Sequence, residues 1–318
     1  MRKKTVSLVL GSGGARGMAH IGVIEELESR GYDIRHISGS SMGAVVGGVY
    51  AMGKMDLLKN HLLQQTKMRV FRMMDFVFTN EGLIKGEKIY DELKQLVGDT
   101  LIESLPIHYT AVACDLETNQ EVWFNKGSVL QAMRASAAIP NIVVPAQIGE
   151  RRLIDGGVVN PTPIEPILHH KADLIIVVNL NATLPDNQHA EGTHEWERST
   201  KAKLFDNKWF ESLPALSLVR QRANHLAIVS KVVEITQNRL THYAMMLHKP
   251  DILINIARKS CPPYAFYKAA EQIALGKRAC AYALDNYEKD LQHPNTFTHI
   301  KDSLYDFVAY QINHWRGK

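Results

Sequence analysis

The sequence predicts an α/β fold built on a parallel sheet, and two observations near the N-terminus predict it. Residues 6–10 and 34–37 are short apolar segments, and a glycine-rich turn and a helical pattern follow each of them. Unbroken apolar segments are typical of strands that are buried on both faces. The order strand, helix, strand, helix with tight turns implies parallel strands joined by right-handed crossovers.

The rest of the chain continues this alternation and adds a hairpin. Residues 108–115 and 120–124 have the branched, alternating pattern of strands, and the turn between them predicts the hairpin. Further strands are expected over residues 152–154, 174–179 and 251–256. Helices are expected over residues 18–30, 44–51, 85–97, 129–135, 164–170, 215–246, 265–287 and 298–315. With no internal repeat, this order fits one α/β domain with insertions.

Composition limits the class of protein. A chain of 318 residues with 45% hydrophobic and 22% charged residues has the composition of an ordinary soluble globular protein. Its formal net charge of +4 is mild, and no dense stripe of lysine and arginine with interleaved aromatic residues indicates nucleic-acid binding. The three cysteines, Cys114, Cys261 and Cys280, have no metal-ligand spacing, which predicts buried thiols in a reducing compartment.

The first ten residues superficially resemble a signal peptide. The apolar segment that follows the basic residues is too short for one, however, and it breaks into glycines after residue 10. No apolar run approaches the length of a transmembrane helix. The sequence therefore predicts a cytoplasmic protein, and any membrane contact is expected to be peripheral.

A nucleophile elbow is predicted between the second strand and the second helix. Gly39-Ser40-Ser41-Met42-Gly43 matches the pattern G-x-S-x-G in the strand–turn–helix context that an elbow needs. Gly39 and Gly43 bracket the serine because so sharp a turn leaves no room for larger side chains. The turn sets the Ser41 hydroxyl at a helix N-terminus, where amide groups and the helix dipole favour a developing negative charge. Ser41 is therefore the candidate nucleophile.

The glycine-rich loop after the first strand, residues 11–17, is a candidate anion site. A dinucleotide fingerprint would need glycine at position 16, which is Arg16, and a Walker loop would need a Gly-Lys-Ser/Thr sequence, which is absent. What remains is a run of small residues that expose backbone N–H groups beside an arginine at the start of a helix, which is an anion nest. The residues alone leave open whether the anion is a phosphate or an oxyanion formed during a reaction.

Two kinds of base could activate Ser41. The usual order of serine, acid and histidine fails because the loop after the last clear strand, residues 258–263, holds no histidine. The other candidate is Asp155, which ends a strand and is followed by Gly156 and Gly157, so that its carboxylate can approach another backbone closely. Burial without a cation would raise the pKa of this aspartate. A Ser–Asp dyad is therefore physically reasonable.

The histidines have other expected roles. Those in helical segments are expected to be structural: His20, His225, His242 and His248. The polar stretch over residues 183–200 contains two more histidines, but their spacing does not match a zinc motif such as H-E-x-x-H. That stretch is expected to be a solvated loop, and no metal site is predicted.

Four motifs together resemble those of the patatin-like phospholipases, a family of lipid acyl hydrolases. Residues 11–17 resemble the glycine-rich oxyanion block G-x-G-G-x-R/K-G, and residues 39–43 match G-x-S-x-G. Residues 155–157 match D-G-G/A, and residues 135–140 are similar to A-S-x-x-x-P. Each motif is weak alone, but the ordered set is highly specific. The resemblance covers about residues 5–182.

This resemblance implies a three-layer α/β/α sandwich with a mostly parallel central sheet, and hydrolysis of lipid esters through an acyl-enzyme on Ser41. It implies that Asp155 is the base, and that no cofactor is needed. The residues that it assigns to the oxyanion hole are Gly13, Gly14, Ala15 and Arg16. Of these, Arg16 is expected to orient the loop rather than to act on the substrate. The alternatives are a thioesterase or general carboxylesterase with the same dyad, and a regulatory protein with little catalytic activity.

One domain is expected over residues 1–290, with a helical insertion at about residues 183–250. Residues 291–318 are expected to form an amphipathic helical tail, which packs on the protein itself, on a sister subunit or at a lipid interface. Residues 68–78 are rich in methionine and phenylalanine, and they are either core or the wall of an acyl channel. The expected partner is a lipid or acyl-ester substrate, and a homo-oligomer is left open.

Overall fold

The computed structural model describes residues 3–75, 77, 82, 84–183 and 215–292. One sheet of eight strands runs through it. The strands are β1 (Thr5–Leu10), β2 (Asp33–Ser40), β3 (His108–Asp115), β4 (Gln120–Phe124), β5 (Ala146–Ile148), β6 (Arg151–Asp155), β7 (Leu174–Ala182) and β8 (Ile252–Ala257). Their order is β5–β6–β3–β2–β1–β7–β8, and β4 pairs with β3. Neighbouring strands in the series β3–β2–β1–β7–β8 are parallel. Strands β4, β5 and β6 are antiparallel to the strands with which they pair.

Helices flank this sheet. They are α1 (Ala19–Ser29), α2 (Met42–Ala51), α3 (Met55–Leu63), α4 (Lys67–Met73), α5 (Glu87–Val97), α6 (Val129–Ser136), α7 (Ala215–His248) and α8 (Ala269–Gln292). The structure thus confirms the predicted α/β fold with a mostly parallel central sheet. The chain divides into two units, Met1–Cys280 and Ala281–Lys318. The sheet and both glycine-rich loops belong to the first unit, and the described part of the second is the C-terminal end of α8.

The central strands are buried on both faces, as their apolar sequences predict. Val6, Leu8 and Val9 of β1 are fully buried, and so are Ile176 and Val177 of the neighbouring strand β7. Because β1 and β2 are parallel, their carboxyl ends meet at the same edge of the sheet. In open α/β sheets this edge is where ligands bind, and the two loops that were predicted to carry the chemistry both begin there.

Most predicted elements agree with the structure, but the predicted helix over residues 164–170 is wrong. Only Glu165–Ile167 forms a helical turn there, and it is a 3₁₀ turn. The amide of His170 donates to the carbonyl oxygen of Ile167, three residues back, at 3.0 Å. A single 3₁₀ turn is enough to bury Ile164 and Ile167 together. Strand β5 has only three residues, which is too few for a pattern to predict.

Several other predictions concern the cysteines and the C-terminal helices. The three cysteines are free and buried, as predicted: Cys114, Cys261 and Cys280. Helix α7 ends two residues beyond the predicted segment 215–246. The predicted tail helix over residues 298–315 lies outside the described residues, and so does the predicted loop from residue 184 onward. None of the helices in the described part of the chain combines the length and the apolar character that crossing a membrane requires.

Helix α8 crosses α1 at a pair of glycines. A Cβ atom on Gly276 would lie 1.9 Å from the carbonyl oxygen of Ala19, and one on Gly22 would lie 1.9 Å from the carbonyl oxygen of Ile273. The two backbones therefore pack directly against each other, without intervening side chains. This crossing holds α8 against the helix that follows the first glycine-rich loop.

Gly276→Ala is expected to lower the free energy of unfolding by about 1–3 kcal/mol, because the added methyl group must push two backbones apart. Alanine is a better helix former than glycine by about 1 kcal/mol, so the loss cannot come from helix propensity. Urea denaturation measures it. The control is Lys277→Ala, an exposed neighbour on the same helix, which is expected to change stability by less than about 0.5 kcal/mol. A Gly276→Ala protein as stable as its parent would contradict the close crossing.

Candidate active site

The predicted nucleophile elbow lies between β2 and α2. Ser41 alone separates the last residue of β2 from the first residue of α2, and its backbone has φ 57° and ψ −126°. A positive φ is uncommon for a residue other than glycine, and it is a form of strain found often at functional sites. Here it turns the strand directly into the helix. Ser41 is also buried, with 3% of its surface exposed.

The two elbow glycines let three backbone segments come together. A Cβ atom on Gly43 would lie 2.0 Å from the carbonyl oxygen of Leu10, at the end of β1. One on Gly39 would lie 2.6 Å from the carbonyl oxygen of Gly43. Neither methyl group fits without a shift of backbone, so the steric reason predicted for glycine holds at both positions.

Ser41 and Asp155 are in direct contact. The Ser41 hydroxyl donates a hydrogen bond to Asp155 Oδ2 at 2.5 Å. Asp155 is the last residue of β6, which pairs with β3, and it is 4% exposed. The other carboxylate oxygen, Oδ1, accepts a hydrogen bond from the Gly157 amide at 2.7 Å. One oxygen of Asp155 is therefore fixed by the backbone, and the other faces the serine.

Burial sets the basicity of Asp155. It raises the pKa of this carboxyl to about 6, although the hydrogen bonds from Ser41 and Gly157 oppose part of the rise. The usual pKa of an aspartate is about 3.9. Near pH 7 the group is therefore mostly ionised, yet it accepts a proton far more readily than a solvated aspartate does.

The motif A-S-x-x-x-P, over residues 135–140, accepts hydrogen bonds from the backbone amides of both Ser41 and Asp155. The hydroxyl of Ser136 accepts a hydrogen bond from the Ser41 amide at 3.0 Å and donates one to the carbonyl oxygen of Val112 at 2.5 Å. The Asp155 amide donates to the carbonyl oxygen of Ala138 at 2.9 Å. The motif was noticed in the sequence, but this role of Ser136 was not predicted, because no local pattern indicates which amide a buried hydroxyl meets.

The glycine-rich loop has two amide groups without an acceptor within the described residues, those of Gly13 and Gly14. Gly14 has φ 57°, and a Cβ atom there would lie 2.5 Å from the carbonyl oxygen of Pro263. The same carbonyl accepts a hydrogen bond from the Ala15 amide at 2.7 Å. The prediction that Ala15 is a donor of the oxyanion hole therefore needs correction, since its N–H is already used to anchor the loop.

Arg16 supports this loop from within. Its Nε donates to the carbonyl oxygen of Gly13 at 3.0 Å, and its guanidinium also donates to the carbonyl oxygen of Arg258 at 2.9 Å. Burial lowers the pKa of Arg16 to about 10, so the side chain stays charged near neutral pH. Both contacts are with backbone carbonyl groups, which agrees with an orienting role for this residue.

The histidines do not contact the dyad within the described residues. His20 Nε2 donates to the carbonyl oxygen of Gly11 at 2.8 Å, and burial lowers the pKa of His20 to about 4. His248 pairs with Glu165 at 3.0 Å. Both contacts are structural, as predicted. The side chain of His225 lies outside the described part of the chain.

The segment rich in methionine and phenylalanine is only partly described, since Phe76 and Phe78 fall outside the described residues. Its first part forms α4, which has no buried side chain. Met68 and Phe71 are each 59% exposed. Of the two alternatives, core is therefore wrong for α4, and the acyl channel stays a prediction.

The chain is similar to several known proteins. A family model described as patatin-like phospholipase matches residues 8–168. An uncharacterised NTE family protein of Mycobacterium bovis is 36% identical over 334 residues, which covers 90% of this chain and 92% of that protein. The lysophospholipase nte1 of Neurospora crassa is 25% identical over 254 residues, which covers 78% of this chain and 16% of that protein. The crystal structure of VipD from Legionella pneumophila aligns with a TM-score of 0.46 at 14% identity, over 90% of this chain and 67% of that one.

The matched region takes in about half of the chain, including the glycine-rich loop, the elbow and Asp155. The similarity to the mycobacterial relative extends over 90% of the chain. The resemblance that the four motifs indicated is therefore confirmed. The chain belongs to the patatin-like phospholipase family, and it is a hydrolase that acts on ester bonds.

Proposed function

We propose that this chain is a serine acyl hydrolase that cleaves lipid esters, of the phospholipase A or lysophospholipase type, through Ser41 and Asp155. The observation that carries the proposal is the 2.5 Å hydrogen bond from the Ser41 hydroxyl to Asp155 Oδ2, formed at a strained elbow. A hydroxyl held against a buried carboxylate has nucleophile and base already in contact. The lipid substrate class is supported by the family and by the lysophospholipase activity named for the Neurospora relative.

Two half-reactions follow from this pair. Ser41 Oγ attacks the ester carbonyl carbon while its proton passes to Asp155. The tetrahedral intermediate collapses as the bond to the alcohol oxygen breaks, and Asp155 returns the proton to that oxygen. A water molecule then attacks the acyl-enzyme and gives its proton to Asp155, and this proton returns to Ser41 as the carboxylic acid leaves.

The negative charge of each tetrahedral intermediate needs fixed donors. The amides of Gly13 and Gly14 are the candidates, because they have no acceptor within the described residues. Donors held in place before the reaction stabilise an oxyanion by roughly 3 kcal/mol each. Arg16 and the carbonyl of Pro263 hold this loop, so the donors need little reorganisation when charge develops.

Helix α4 supports a peripheral contact with lipid. Its exposed apolar residues Met68 and Phe71 accompany three basic residues on the same short helix, Lys67, Arg69 and Arg72. Exposed apolar side chains together with basic ones favour the surface of anionic lipid. The helix packs on the 3₁₀ turn Phe266–Lys268, which in turn packs on the turn Gly14–Met18 of the oxyanion loop. Lipid bound at α4 would therefore lie near the site.

A thioesterase would use the same dyad, and a regulatory protein would not need it. A substrate panel with phospholipids, lysophospholipids, acyl-CoA thioesters and soluble p-nitrophenyl esters separates these functions. We expect lipid esters to give the highest kcat/KM. A clear preference for acyl-CoA would indicate a thioesterase instead of a lipid ester hydrolase. No turnover of any member of the panel would favour the regulatory alternative.

Ser41→Ala is expected to abolish ester hydrolysis and labelling by a fluorophosphonate probe, because the nucleophile is gone. Asp155→Asn is expected to lower kcat by about 10²–10⁴-fold, since it keeps the shape and removes the base. The matched control is Ser40→Ala, whose buried hydroxyl has no hydrogen-bond partner in the described structure. It should keep nearly full activity. Substantial turnover by the Ser41 variant would exclude the dyad.

The pH dependence of kcat/KM on a soluble ester is expected to have an acidic limb near pH 6. Only the ionised carboxylate of Asp155 can accept the serine proton, and burial raises its pKa to about 6. Activity should therefore fall about tenfold for each pH unit below this value. The residual activity of Asp155→Asn should lack the limb. A limb near pH 4 in the parent protein would indicate a solvated carboxyl instead.

The double substitution of Met68 and Phe71 by serine is expected to weaken binding to anionic phospholipid vesicles, measured by co-sedimentation, and to lower activity on vesicle lipid. Hydrolysis of soluble esters and the melting temperature should not change, because both side chains are exposed. Leu168→Ser, an exposed apolar residue outside α4, is the control. Equal loss of activity on soluble and vesicle substrates would argue against an interfacial role for α4.

A further inference from the structure

Three histidines from distant parts of the sequence meet at the edge of the sheet opposite to the dyad. His36 lies within β2 and pairs directly with His108, the first residue of β3. His170 follows the 3₁₀ turn Glu165–Ile167. The three rings stack, with centroids 4.5–5.3 Å apart. Five residues of extended chain, about 17 Å, separate His36 from Ser41, so this cluster is distinct from the catalytic site.

The ring nitrogens of the three histidines also lie close together. Each of the three histidines offers one nitrogen, and these nitrogens all lie within 4.8 Å of one another. A point equidistant from the corners of a triangle with 4.8 Å sides lies about 2.8 Å from each corner, compared with about 2.0–2.1 Å for a Zn–N bond. Because a lone pair lies in its ring plane and the three rings are close to parallel, His108, which is exposed, and His170, which is half-buried, would have to turn out of the stack to close that difference.

A buried serine fixes the orientation of His36. Ser7 of β1 is fully buried, and its hydroxyl lies 2.9 Å from His36 Nδ1. When Nδ1 carries the proton and donates it to this hydroxyl, Nε2 is left with its lone pair directed away from Ser7. Metal-binding histidines are usually held in this way, by a hydrogen bond to their second nitrogen.

Protonation is disfavoured at two of the three imidazoles, His36 and His170. Burial first, and then the neighbouring His170, His108 and Arg35, lower the pKa of His36 to about 4. The pKa of His170 is also lowered, by burial first and then by His108 and His169. The charge of Arg35 is balanced by Asp33 at 2.6 Å.

We propose that His36, His108 and His170 bind one divalent first-row transition metal ion, with Zn²⁺ as the probe ion. Three imidazoles without a carboxylate suit zinc, copper or nickel rather than magnesium or calcium. A fourth position is left to water or to an added ligand. The ion would link β2, β3 and the segment before β7, and it would stabilise the folded chain by mass action.

The test uses the full chain without a histidine tag, after removal of metal with a chelator. Isothermal titration with ZnCl₂ at pH 7.5 is expected to give one site per chain, and Zn²⁺ should raise the melting temperature. His108→Gln and His170→Gln should each weaken this binding at least tenfold. The matched control is His169→Gln, an exposed neighbour outside the cluster, which should bind like the parent.

A second measurement does not depend on the variants. Co²⁺ bound to three imidazoles in a tetrahedral site gives intense visible absorption, and an equimolar amount of Zn²⁺ should displace it from the parent protein. Absence of one-to-one Zn²⁺ binding, or affinity that is equal in the parent and both cluster variants, would overturn the proposal. Weak Co²⁺ absorption typical of octahedral coordination would overturn it as well, and the three rings would then be only a packed stack.

Discussion

The close approach of α2 to β1 at Gly43 is the constraint on which the site depends. Because the helix begins so near the Leu10 carbonyl, the chain between β2 and α2 has only one residue in which to turn. That residue, Ser41, takes a positive φ, which costs of order 1–3 kcal/mol. The hydrogen bond from its amide to Ser136 offsets part of this cost. The same hydroxyl of Ser136 is anchored on β3, so the strained serine is supported by the sheet itself.

Residues outside the four motifs also help to build the site. The last of the motifs ends at residue 157, but the loop that carries Gly13 and Gly14 is held by the carbonyl groups of Arg258 and Pro263, which follow β8. Arg258 in turn pairs with Glu234 of α7. The segment beyond the motifs therefore helps to place the candidate oxyanion donors, in addition to any part that it has in choosing the substrate.

Local pattern was enough to predict the fold class and the elbow, because each depends on neighbouring residues. Asp155 was assigned as the partner of Ser41 by the resemblance of the motifs, since β6 runs antiparallel to β3 and no local pattern indicates at which edge of the sheet it ends. The role of Ser136, the use of the Ala15 amide by Pro263 and the histidine cluster could not be predicted. Each is a contact between segments far apart in sequence, and no spacing indicates it. The helix expected over residues 164–170 failed for another reason, since its apolar spacing suits one 3₁₀ turn equally well.

The burial of Asp155 also has a thermodynamic consequence for the fold. An aspartate whose pKa rises from 3.8 to about 6 on folding binds its proton more tightly in the native state than in the unfolded state. Linkage then favours the native state fully below pH 3.8, and this advantage is lost as pH rises through 6. At neutral pH the ionised carboxyl costs roughly 3 kcal/mol relative to a solvated one. The ionised state that Asp155 would need for its proposed role as a base is therefore also a state that weakens the native structure.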